Sequence, residues 1–154
     1  MKKIILITMI FGWVVLLTTV AKAGDVEDIK KATLEHFVTF NAGNVAAHVG
    51  HHLQGHTGFG PDGGLLEVNE SLKEEKNNLQ ADFDAGLKFN LQVKHLDVKI
   101  YGNTAVTTCY IVGSMTTLNG KTIQVRDRRT AVLIKKGKKW KEVHAHNSPI
   151  TTAK

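Results

Sequence analysis

From residue 25 onward the chain shows two hydrophobic periods in succession. Between Asp25 and Phe40, apolar residues recur every three or four positions (Ile29, Ala32, Leu34, Phe37, Phe40). That spacing predicts one face of a helix. Asp25 suits the N-cap, with Asp28 three residues later. Asn41-Ala42-Gly43-Asn44 reads as a stop followed by a new cap, so Val45 to Leu53 predicts a short second helix. Gly55 to Gly64 is too rich in glycine for a helix, and its Pro-Asp-Gly step predicts a loop or hairpin. A third, charged helix opens at Asn69 or Ser71 and runs to about Phe83.

After Gly86 the period shortens to two. Four segments read as strands: 88–101, 105–117, 122–136 and 140–147. Gly102-Asn103, Asn119-Gly120 and Gly137 supply the turns between them. Helices first and then a four-stranded antiparallel meander predict an α+β domain, with helices on one face of a curved sheet.

The last strand carries the richest chemistry. Strict alternation puts Trp140, Glu142, His144, His146 and Ser148 on one face and Val143 and Ala145 on the other. Two imidazoles, a carboxylate and a hydroxyl on one face line a polar pocket or form the wet side of a sheet. If the polar face lines an interior, the opposite face, with Val143, Ala145, Ala131, Leu133, Cys109 and Ile111, needs a cover, and a second copy of the chain would supply it.

The N-terminus changes the charge picture. Lys2 and Lys3 precede an apolar run from Ile4 to Val20, followed by Ala21-Lys22-Ala23. This is the pattern of a cleaved export signal, so residues 1–23 are expected to be a signal peptide and 24–154 a single domain, periplasmic or secreted. An uncleaved anchor helix is the competing reading. Without the three leader lysines, 17 basic residues face 14 acidic ones, and the net charge falls from +6 to +3. That excludes the broad basic footprint of a nucleic-acid protein, and no membrane contact is expected after cleavage. The lysines around Gly137 read as a solvated turn. Cys109 is the one cysteine, so no internal disulfide is available and the thiol is expected to be a small buried hydrophobe.

The order of helix, Asn41-Ala42-Gly43-Asn44, short helix, glycine-rich hairpin, helix and meander resembles the nuclear transport factor 2-like superfamily. Its ending, Arg128-Arg129-Thr130, Gly137, Trp140 and Val143-His144-Ala145-His146-Asn147-Ser148, is most similar to the SnoaL-like group and to the association domain of calcium/calmodulin-dependent kinase II. The resemblance implies a cone-shaped sheet wrapped around the N-terminal helix, a pocket at the open end and a homodimer. It also implies that Arg128, with Arg126 on the same face, Tyr110, His144 and His146 bind a ligand. A second pocket arginine of the kinase domain falls at Val112 and has lost its charge.

These readings give an exported domain binding a small polar or carboxylate-bearing molecule, without a cofactor. The catalytic candidates are Glu142, His144 and His146. A non-catalytic dimerisation module and an isomerase or dehydratase are the alternatives. His48, His51 and His52, followed by His56, form a weaker metal candidate if they share one helix face; otherwise they are a polar helix end. Phe59 to Leu66 lacks the lysine-hydroxyl ending of a phosphate loop and is read as a hairpin.

Overall fold

The computed structural model describes residues 23–151, so the export signal lies outside the described residues. Helix α1 spans 23–41. Its buried stripe is Ile29, Thr33, His36 and Phe37, while Leu34, expected inside, is 46% exposed. Two polar residues on a core-facing stripe are unusual and position the site below. Asn44 caps the short helix α2, Val45–Val49, by accepting from Ala47 N. The chain then leaves the helix at Gly50, earlier than predicted, and His52 opens strand β1, His52–Phe59.

Strand β2 (Glu67–Asn69) pairs antiparallel with β1. Helix α3 (Leu72–Asp84) follows, capped by Ser71. Strands β3 (Lys88–Tyr101), β4 (Thr104–Thr116), β5 (Thr122–Lys136) and β6 (Lys139–Pro149) form the expected meander. The sheet has six strands in the order β2-β1-β6-β5-β4-β3, two more than the alternation predicted. Strand β1 joins β6 in parallel. No helix among the described residues is long and apolar enough to cross a membrane.

Two irregularities bend this sheet around α1. In β3 the pairing with β4 shifts between Lys94 and Asp97, and His95 takes φ 53° there. Inward positions therefore change from Leu91 and Val93 to Leu96, Val98 and Ile100, two sets that strict alternation would place on opposite faces. In β6, Leu133 pairs with Glu142 but Val132 pairs with His144, so Val143 is the extra residue. Trp140 and Glu142 face inward before the bulge, and Ala145 and Asn147 face inward after it.

The face expected to need a cover is thus the interior. Ile29, Ala105, Ala131, Leu133, Trp140 and Ala145 form the core at the closed end. Phe37, Leu91, Cys109 and Ile111 form a second cluster toward the open end. Asp25 ties α1 to the closed end through Lys135 and accepts from Trp140 Nε1 at 3.4 Å. Burial pushes the Cys109 thiol up to about 11, so it behaves as the small hydrophobe expected.

At Gly113 the backbone of β4 packs against β3 with no room for a side chain. The glycine's φ is +148°, and a Cβ built there would lie 2.0 Å from the Asn90 carbonyl oxygen. We expect Gly113→Ala to cost at least about 3 kcal/mol, combining backbone strain with the clash. Urea denaturation of the two proteins measures it. An unchanged midpoint would show that the two strands part without cost.

Candidate functional site

The open end of the cone holds a cavity of about 770 Å³ between α1, α3 and the concave face of the sheet. Phe37, Phe40, Phe89, Leu91, Ile111 and Val125 make its apolar wall. The polar wall has two groups, one on β5 and β6 and one running from α1 across α2 and β1 to α3.

The first group is an ion pair. Arg129 Nη2 donates to both carboxylate oxygens of Glu142, at 2.7 and 2.8 Å, and Nη1 donates to Asn147 Oδ1 at 3.0 Å. The guanidinium also lies 5.5 Å from the Phe37 ring centre. Both charges are buried, so removing one partner would cost about 3–5 kcal/mol by leaving the other uncompensated. Asp127 lines the same wall, and burial raises its pKa.

The second group is a run of four histidines ending on a glutamate. His36 Nε2 lies 2.9 Å from His52 Nε2, and His52 Nδ1 lies 2.6 Å from Glu75 Oε1. Nδ1–H of His52 therefore donates to the carboxylate, and His36 donates to the remaining lone pair. His48 Nδ1 donates to the His36 carbonyl at 3.1 Å, and its ring stacks on His36 at 4.2 Å and on Phe40 at 4.4 Å. His56 Nε2 accepts from Asn69 Nδ2 at 3.1 Å. Burial, reinforced by neighbouring imidazoles, lowers the pKa of His36 far below its usual value and that of His48 to about 3. Burial likewise lowers His51 and His56. A hydrogen-bonded carboxylate–imidazole–imidazole chain beside an apolar wall has the parts for proton transfer to a bound molecule.

The site differs from the sequence expectation in most of its members. Glu142 faces the cavity as anticipated, but the Val143 bulge turns His144 and His146 away. His144 Nδ1 bonds Thr57 Oγ1 at 2.8 Å, and both rings meet the edge of Phe59. Arg128 and Arg126 are exposed on the outer face, where Arg128 donates to the Pro149 carbonyl at 3.2 Å. Tyr110, opposite Arg128, is 43% exposed and lies beside His95. The inward arginine is Arg129, because the odd positions of β5 face the interior.

Of the metal candidates, His48 and His52 line the cavity, although His52 lies on a strand rather than on the expected helix. His51 lines a separate surface pocket with Lys141 and Glu35. His36, His56, Glu75, Asp127 and Asn147 complete the site. His36 carries a sequence signal, since a titratable residue lies seven positions after Ile29 on the apolar stripe. Glu75 carries none within its charged helix.

Residues 21–152 match the model of the SnoaL-like domain. No curated protein matches the chain. Among solved structures, the chain is similar to a ketosteroid isomerase-like protein from Erwinia carotovora atroseptica, at 18% identity and TM-score 0.66 over 82% of this chain and 96% of that one. It is similar to a protein of the nuclear transport factor 2-like family from Streptomyces avermitilis, at 17% identity and TM-score 0.70 over 85% and 99%. A calcium/calmodulin-dependent kinase II hub homology domain from Chlamydomonas reinhardtii aligns at 20% identity and TM-score 0.63 over 82% and 99%. At these identities the likeness establishes the fold, a nuclear transport factor 2-like α+β cone with an unclosed sheet.

The buried imidazoles set a pH dependence. His48 faces His36, His51, His52 and Glu142, and its folded pKa lies below its unfolded value of 6.5. Unfolding therefore takes up a proton below pH 6.5. The stability tied to the neutral ring is whole above that pH and is lost as pH falls toward about 3. At pH 5 the loss from His48 alone is about 2 kcal/mol. His36, His51 and His56 act in the same direction, while Asp127, raised by burial, acts in the opposite one. Urea titrations in EDTA at pH 7 and pH 5 measure the difference. Equal midpoints would contradict neutral buried histidines.

Proposed function

From the premise that this chain belongs to the SnoaL-like domain family, we propose that it binds a small, mostly apolar molecule in its cone through a neutral or cationic polar end. The charge balance of the wall supports this most directly. Arg129 is the one arginine or lysine among the described lining residues, and Glu142 already neutralises it. Asp62, Glu67, Glu75, Asp82 and Asp127 also line the cavity. A carboxylate ligand would meet these acids and no uncommitted cationic side chain. A carbonyl, hydroxyl or amine would meet the imidazoles and carboxylates as donors and acceptors, with its carbon body on the phenylalanine wall.

Thermal-shift measurements with matched series of neutral, amine and carboxylate ring compounds test the reading. A neutral or amine member is expected to stabilise the fold increasingly with concentration, by about 2.7 kcal/mol at one hundred times its Kd. Val125→Trp, which fills the cavity from β5, removes the shift, and Arg128→Ala on the outer face preserves it. Preferential stabilisation by carboxylates that depends on Arg128 would overturn the proposal.

Export and self-association are part of the same proposal. The basic start and apolar run support an export signal cut after Ala23. The outer face of the sheet supports pairing of two copies, since Tyr110, 43% exposed, lies there opposite Arg128, and Tyr101, 65% exposed, lies toward the other end of the same face. Enrichment of Tyr and Arg is a mark of interfaces. Native mass spectrometry of the full-length gene product is expected to show two chains, each beginning at Gly24. A chain retaining Met1, or a mass of one chain at micromolar concentration, would refute the corresponding part.

A further inference from the structure

The histidine run contains a trio with the composition and spacing of a metal site. His52 Nδ1 and His56 Nε2 lie 2.6 and 3.6 Å from the same oxygen, Glu75 Oε1. The three ligand atoms all lie within 4.8 Å of one another. Four-coordinate zinc with bonds of 2.0–2.1 Å spaces its ligand atoms about 3.3 Å apart, so the two distances bracket the required value. Both imidazole side chains are 7% exposed and the glutamate 12%, and all three line the cone cavity.

We propose that His52, His56 and Glu75 form a binding site for a divalent transition metal of the zinc type, with its open coordination position facing the cavity.

Three further observations support it. Glu75 Oε2 is buried with no hydrogen-bond partner, a costly state for a carboxylate oxygen that a cation relieves. His36 Nε2, 2.9 Å from His52 Nε2, fixes the His52 ring from behind and accepts its remaining proton once Nδ1 ligates, the support that ligating histidines use. His56 Nε2 already presents a lone pair, which the Asn69 amide occupies at 3.1 Å. An ion displaces that amide or, when the group turns over, gains its Oδ1 as a further ligand. Two histidines and a glutamate are a ligand set for zinc with an open position.

A second trio, His36, His48 and His52, also has ligand atoms within 4.8 Å. Its geometry is poorer. The His36 and His48 rings stack at 4.2 Å with 13° between their planes. A ring nitrogen binds a metal in the ring plane, and one ion cannot lie in two parallel planes. The preferred trio needs no such rearrangement. This proposal stands apart from the identity of the organic ligand, for which the metal's open position would supply Lewis-acid polarisation of an oxygen.

The test uses the mature chain, free of any affinity tag and stripped with EDTA. Calorimetric titration with Zn²⁺ is expected to show one ion per chain with a dissociation constant below about 1 μM. His56→Ala and Glu75→Gln each weaken binding by roughly 100-fold or more, beyond the effect of losing only a supporting contact. His48→Ala and the outer-face variant His144→Ala keep affinity within about threefold of wild type. X-ray absorption of zinc-loaded wild-type protein counts two imidazoles, which keeps the proposal testable if a variant fails to fold. Absence of one-to-one binding, three imidazoles on the metal, wild-type affinity in Glu75→Gln, or a loss in His48→Ala as large as in His56→Ala would each overturn it. Failure here leaves the thermal-shift result with organic compounds unaffected.

Discussion

A sheet that encloses a helix must curve more than regular pleating allows, and this one curves by adding residues to its strands. The irregularity at Lys94–Asp97 in β3 and the extra Val143 in β6 each break the rule that alternate side chains share a face. Everything at the open end follows. Because β6 changes parity at Val143, Glu142 and Asn147 both reach Arg129 from one strand. Their separation of five positions would put them on opposite faces of a regular strand. Strand β1 deviates too, between His52 and Thr57, and both His52 and His56 turn inward.

The interior that results is costly by ordinary standards. Four imidazoles, a glutamate and an ion pair occupy surface that a purely structural cone would line with aliphatic side chains. Replacement of buried polar networks by hydrophobic residues is often neutral or stabilising. Keeping His36 on the core stripe of α1, at 8% exposure, therefore points to function rather than to folding. The closed end makes the contrast, since Ile29, Ala105, Ala131, Leu133, Trp140 and Ala145 pack there with charge confined to the part-exposed Asp25–Lys135 pair at their edge.

The sequence carried the fold class well and the site poorly, for identifiable reasons. The switch from a 3.6 to a 2 period and the glycine turns at Gly102, Gly120 and Gly137 are local signals, and the helices and meander followed from them. Strand β1 was hidden because its residues include Gly55 and Gly58 and its partner β6 is some ninety residues away. Similarly, no local mark distinguishes Val143 from any other strand valine, so regular alternation predicts the wrong face for His144 and His146. Choosing Arg128 over Arg129 is the same parity error carried across one strand pair. His36 was legible in principle as the polar member of an apolar stripe. Glu75 depends on where α3 lies against β1, and that is set only by tertiary packing.

Cys109 has a practical meaning. Its side chain is 7% exposed, and the native fold offers no thiolate at neutral pH. In the folded protein this thiol is therefore protected from oxidation and thiol exchange, whichever redox compartment the chain occupies. Only opening of the sheet beside β4 exposes the sulfur, so alkylation of this single atom serves as a built-in clock for unfolding.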